Sequence, residues 1–121
     1  MKTALLLIAH GSRQDEANAD LRDIVGEMRK CSEYAVVEGA YLELTEPTIE
    51  EAAARCVAEG AQQVVLLPYF LSAGVHVRQD LRHIRQKLAD NHPAIEFRLA
   101  DPLGPHPLLL EIVTQRARQA I

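Results

Sequence analysis

The sequence lacks any excess of positive charge: 13 lysines and arginines face 17 aspartates and glutamates, a formal net charge of −4. That balance excludes general attraction to nucleic acid or to anionic membranes. It also means that an anionic ligand must be held by local basic residues against the overall field. Cysteine is scarce. Cys31 and Cys56 lie far apart and form no C-x-x-C pair, which leaves no redox or zinc-ribbon motif. Cys56 falls on the apolar stripe of a predicted helix and reads as a small core residue. Cys31 follows Lys30 at a helix end and reads as a bystander, so neither points to an oxidising compartment. Long apolar runs are missing too. The N-terminal run from Ala4 to Ala9 is shorter than a signal-peptide core of roughly 7–15 residues. His10-Gly11-Ser12-Arg13 is no small-residue cleavage site, and nothing approaches the ~18 apolar residues of a membrane span. The expectation is a soluble, cytoplasmic protein with no nucleic-acid or membrane partner. No linker, low-complexity segment or close internal repeat interrupts the chain.

What remains is ordinary globular material: 48% hydrophobic and 25% charged residues over 121 positions. This length suits a single domain, 1–121, able to bury roughly two-thirds of its unfolded surface.

Two patterns alternate. Thr3 to Ala9 (TALLLIA) is a short apolar run, as expected of a strand buried on both faces of a parallel sheet. Ala17, Leu21, Ile24, Val25 and Met28 then recur at helical spacing. Ser12 and Asp15 have the S-x-x-D form of a capping box, which leaves His10 in the strand-to-helix loop. Tyr34 to Tyr41 predicts a second strand, and Pro47 marks the start of a helix with Ile49, Ala52, Ala53, Cys56 and Val57 as its stripe and Gly60 as its end. Gln63 to Phe70 predicts a third strand, Leu71 to His76 a loop, and Val77, Leu81, Ile84 and Leu88 one face of a third helix. Ile95 to Ala100 predicts the fourth strand. Asp101 to His106 is a loop, and Pro107 opens a last helix with Leu109, Ile112, Val113 and Ala120 on its apolar side. Four β-α units predict an α/β fold with an open, mostly parallel four-stranded sheet and helices on both faces.

In such sheets ligands bind beyond the carboxyl ends of the strands, where strand order reverses. With the flavodoxin-like order 2-1-3-4, His10 after the first strand and His76 after the third meet at one crevice, and Glu43 after the second strand points there too. Two imidazoles and a carboxylate suit Co²⁺, Fe²⁺, Ni²⁺ or Zn²⁺. A site of this kind is open rather than a closed four-ligand cage, and a neutral histidine can accept a proton. No Ser-His-Asp or Cys-His arrangement demands a covalent nucleophile.

Three segments resemble one family. LLLIAHGSR at 5–13 resembles the N-terminal motif of the sirohydrochlorin chelatases of the CbiX type, a class II chelatase family. YLELTEPTIEEA at 41–52 is similar to their second motif, and VVLLPYFLSAGVHVRQDL at 64–81 to their third and most specific one. The resemblance covers essentially the whole chain. It implies a chelatase-like half and insertion of Co²⁺ or Fe²⁺, with Ni²⁺ also compatible, into a sirohydrochlorin-type tetrapyrrole on the route to cobalamin or sirohaem. The metal is then substrate, and no permanently bound cofactor is expected. His10, His76 and Glu43 match the family's metal-handling and catalytic positions. The length is that of the short form, so a homodimer that rebuilds the two-domain shape is expected.

Sirohydrochlorin carries many carboxylates, which Arg13 and Arg78 suit as bidentate donors. Ser12 and the backbone N–H groups beside it suit another. Plainer roles stand beside these. Ser12 can be a helix cap, Arg13 and Arg78 surface charge, and Glu43 or Glu46 a complement to a helix dipole. His83, His92 and His106 read as bystanders, with His106 nearest the active edge. Tyr69 and Phe70 can stack on a macrocycle or simply fill the core. The competing function is a non-catalytic tetrapyrrole or metal carrier. A histidine phosphatase-like enzyme would need Arg before His10, where the residue is Ala9, and a phospho-receiver would need acids after the first and third strands.

Overall fold

Strand β1 (Thr3–Ala9) is apolar on both sides because it lies inside the sheet and is covered from above and below. The computed structural model describes residues 1–31 and 33–121. Its elements follow in strict alternation: β1, α1 (Asp15–Cys31), β2 (Val36–Tyr41), α2 (Ile49–Ala58), β3 (Gln63–Pro68), α3 (Val75–Asn91), β4 (Glu96–Leu99) and α4 (Pro107–Gln119). The strands are parallel in the order β2-β1-β3-β4, the flavodoxin-like order taken above. β1 pairs with β2 from Ala4↔Val36 to Ala9↔Tyr41, and with β3 from Thr3↔Gln63 to Ile8↔Pro68.

Alternation along the strands sorts the core into two layers. Ala4, Leu6 and Ile8 pack with Val64 and Leu66 against Ile49, Ala52, Ala53 and Cys56 of α2 and Leu81 and Leu88 of α3. Leu5 and Leu7 pack with Val37 and Tyr41 against Leu21 and Val25 of α1. Fully burying each leucine, isoleucine or valine contributes roughly 1.5–3 kcal/mol, so these two layers dominate the stability. Burial pushes the Cys56 thiol up to about 12, helped by the negative field of Glu38 and Glu59. It therefore stays protonated and inert at neutral pH.

The chain departs from expectation at several ends. Strand β2 begins at Val36 rather than Tyr34, β3 stops at Pro68 rather than Phe70, and β4 is confined to Glu96–Leu99. Pro47 does not open α2. Thr48 is its N-cap, with Thr48 Oγ1 accepting from Glu51 N at 3.2 Å and Glu51 Oε1 accepting from Thr48 N at 3.3 Å. Ser12 does not cap α1. That helix starts at Asp15, and Ser12 Oγ instead accepts from Gln14 N at 3.1 Å. The physical reason is a competing contact: the Asn18 side chain, six residues on, grips the Ser12 backbone and holds it outside the helix.

The last helix is the largest surprise. Its stripe is amphipathic, yet α4 buries none of its residues. Leu108, Leu110, Ile112 and Val113 are between 48% and 71% exposed. Phe97 of β4 faces the α2–α3 layer, so Glu96 and Arg98 face the other way, where they pair at 2.7 Å. Among the described residues no helix is long and apolar enough to cross a membrane.

Candidate metal and tetrapyrrole site

The carboxyl ends of all four strands open onto one edge of the sheet, and the backbone there is tied strand to strand. The β1–β2 ladder runs on past the strands: Leu42 N donates to Ala9 O at 3.0 Å and Glu43 N to His10 O at 3.1 Å. Across β1, Tyr69 N donates to Ile8 O at 2.7 Å. His10 and Glu43 are thus neighbours by backbone pairing, although they come from different β-α units.

Gly11 makes this closeness possible. Its φ is +93°, a region L side chains rarely adopt, and a Cβ there would overlap the Glu43 carbonyl oxygen. Leu44, just past Glu43, has φ 68° without being glycine. Such backbone costs of order 1 kcal/mol and gathers at functional sites.

The His10 imidazole is exposed but not loose. It lies flat on Phe70, with ring centroids 4.2 Å apart and planes inclined by 20°. Phe70 is 6% exposed and is anchored from the β4–α4 loop, where Leu103 N donates to Phe70 O at 3.0 Å. Gly104 allows that loop to lie against Leu71, whose carbonyl oxygen a Cβ would strike. Stacking on a buried platform orients the exposed ring without spending a hydrogen bond on it.

His76 is not in a loop. It occupies the second position of α3, exposed, after the N-cap Gly74. Gly74 has no side chain to cap the helix, so the first-turn N–H groups of α3 are left for solvent or ligand. Arg78 lines a cleft of about 220 Å³ between α3 and the end of β4, together with Arg82, Leu99 and Asp101. Arg13 and Glu43 are exposed and Ser12 is partly buried. Among the described residues, no three His, Cys, Asp or Glu side chains already converge on a point that could hold a metal. His10, His76 and Glu43 therefore share an edge without forming a closed cage.

Two of the remaining histidines sit at helix ends. His106 is the N-cap of α4, with Nδ1 accepting from Leu108 N at 3.1 Å. His92 is the C-cap residue of α3, near Phe97, and His83 is exposed in mid-helix. Two contributors escape the motif reading. Phe70 lies inside the third motif and is expected to stack on a macrocycle or fill the core, but its stacking under His10 is not foreseen. Asn18 has a clearer signal, since it stands on the buried stripe of α1 beside Leu21 and Val25, where an apolar residue belongs.

Comparison with known proteins places this geometry in a family. The chain is 36% identical over 117 residues to the sirohydrochlorin ferrochelatase, chloroplastic, of Arabidopsis thaliana, covering 97% of this chain and 52% of that one. The chain thus spans about half the length of this curated relative. It superposes with a TM-score of 0.91 and 28% identity on the sirohydrochlorin chelatase SirB of Bacillus subtilis subspecies spizizenii in complex with cobalt, covering 98% of this chain and 51% of that one. A CbiX protein of Marinobacter aquaeolei VT8 matches end to end, with a TM-score of 0.86, 27% identity, and 98% and 96% of the two chains covered. The CbiX family model matches residues 4–120. With nearly its whole length matched and the strand order shared with the chelatase structures, the chain belongs to the CbiX family.

Proposed function

We propose that this protein is a sirohydrochlorin metal chelatase, a lyase that inserts Co²⁺ or Fe²⁺ into sirohydrochlorin on the route to cobalamin or sirohaem. The observation that carries the reading is His10, held flat on Phe70 and tied through its backbone to Glu43 at the ligand-binding edge of the sheet. His10, His76 and Glu43 supply neutral nitrogen and carboxylate donors that suit these ions without selecting one. Ni²⁺ is compatible with the same donors. Each insertion replaces two pyrrole N–H bonds by bonds to the metal and releases two protons. One histidine accepts a proton, and Glu43 passes protons outward. Ser12, Arg13 and Arg78 hold substrate carboxylates. No permanent cofactor is required, and the free cysteines are compatible with the reducing cytoplasm.

The test is anaerobic absorbance of sirohydrochlorin with Co²⁺ or Fe²⁺. Metallation should be faster than the spontaneous reaction. Arg13→Ala and Arg78→Ala should each raise the Michaelis constant for tetrapyrrole, and an unchanged constant in both removes the clamp role. Binding with no acceleration for either metal would make the protein a carrier instead.

We further infer that residues 1–121 form one chelatase-like domain that works as a homodimer. Two observations support this. The chain matches about half of the SirB chain, and α4 carries an apolar face that its own chain leaves uncovered. Wild type should sediment as a dimer. Leu110→Glu with Val113→Glu should sediment as a monomer with unchanged helix content, since neither residue is buried in the single chain. A wild type that sediments as a monomer at assay concentration would end the homodimer reading.

A further inference from the structure

Asn18 is the one polar residue among the described residues whose burial rivals that of the core, at 4% exposed. It occupies a stripe position of α1 flanked by Leu21 and Val25. An apolar side chain there would pack with no polar group to satisfy, and asparagine is a weaker helix former than leucine. The carboxamide is nevertheless fully engaged. Its Oδ1 accepts from Ser12 N at 2.9 Å, and its Nδ2 donates to Ser12 O at 2.8 Å. The side chain therefore satisfies both backbone groups of one residue, as a neighbouring strand would. The helix is tied back in turn, because Tyr41 Oη donates to Asn18 O at 2.9 Å.

Ser12 is two residues beyond His10. Between them, Gly11 lies against the Glu43 carbonyl with no room for a Cβ. Upstream, His10 O is held by Glu43 N at 3.1 Å. The segment that carries the imidazole is thus fixed on both sides, by the sheet before it and by Asn18 after it. We propose that Asn18 is a positioning residue: its two hydrogen bonds to Ser12 hold the His10 loop so that the imidazole stays seated on Phe70 and presented to the metal. The proposal rests on the chelatase reading. It assigns Asn18 no contact with substrate.

Asn18→Leu fits the apolar stripe and removes both bonds. Asn18→Asp keeps the shape and the acceptor but removes the donor to Ser12 O. In both variants kcat should fall about 10- to 100-fold, the range expected when a reacting group is misplaced by about an ångström. The Michaelis constant for sirohydrochlorin should rise too, because Ser12 and Arg13 share the tethered segment, so the His10 signals are the readout specific to positioning. The His10 imidazole ¹H and ¹⁵N signals, shifted by the Phe70 ring, should move towards free-histidine values. Thermal unfolding should remain cooperative for Asn18→Leu. A purely structural asparagine would lower the melting temperature and leave kcat per folded molecule and the His10 signals unchanged, which would overturn the proposal. The NMR readout needs no turnover. A wild type that fails to accelerate metallation would strike the chelatase reading, while unmoved His10 signals would strike the positioning role alone.

Discussion

Gly11→Ala should cost about 3 kcal/mol or more of folding stability and remove turnover together with it. Two penalties combine. A left-handed φ of +93° is unfavourable for alanine by roughly 1–2 kcal/mol. In addition, the new methyl would sit on the Glu43 carbonyl oxygen and within 3.2 Å of Tyr41 Cβ. Backbone rather than a flexible side chain stands in the way, so relief has to come from separating the His10–Glu43 pairing. That pairing brings the first two functional loops together. Urea unfolding should show a large fall in midpoint with an unchanged slope. Gly26→Ala is the natural control: it lies within α1 with nothing inside 4 Å of an added Cβ. There the methyl should stabilise by about 0.5–1 kcal/mol through helix propensity. Equal midpoints for wild type and Gly11→Ala would mean that the His10 loop does not lie against Glu43.

The two glycines also show what sequence alone reveals. The alternation of parallel β-α units is readable, because apolar runs of strand length stand between amphipathic stretches. The order β2-β1-β3-β4 is the common arrangement of such units and has no signature in the residues themselves. The ends of elements were less readable. Ser12 and Asp15 have a capping pattern, but α1 starts later because Asn18 competes for the Ser12 backbone. That competition comes from a side chain six residues on, outside the S-x-x-D pattern. His76 reads as a loop residue because Gly74 begins α3 without a capping side chain. Thr48 and Glu51 do carry a visible T-x-x-E signal, which the adjacent Pro47 obscures. The apolar stripe of α4 is equally plain in the sequence, but hydrophobic periodicity says only that a face wants cover. It does not say that the chain offers none. The stacking of His10 on Phe70 joins residues from two β-α units, so no spacing rule reaches it.

His10→Ala and His76→Ala should each lower kcat/KM for metallation by about 10²- to 10⁴-fold, the range for loss of a positioned acid-base or metal-handling group. The more informative result is the double variant. Groups that act on one centre are strongly non-additive, so the double should be no worse than the poorer single within about threefold. If each histidine served a separate task, the losses would instead multiply. The geometry makes this a real question. His10 sits on a platform just past β1, His76 begins α3, and the two do not close with Glu43 into a ligand set within one chain. Neither substitution should disturb folding, because both imidazoles are exposed. Circular dichroism and the melting temperature should therefore match wild type in all three variants. A multiplicative loss would place the two histidines at separate steps, with one handling metal and the other accepting pyrrole protons. A loss confined to His10→Ala would restrict the centre to the β1 edge and leave His76 as a surface residue of α3.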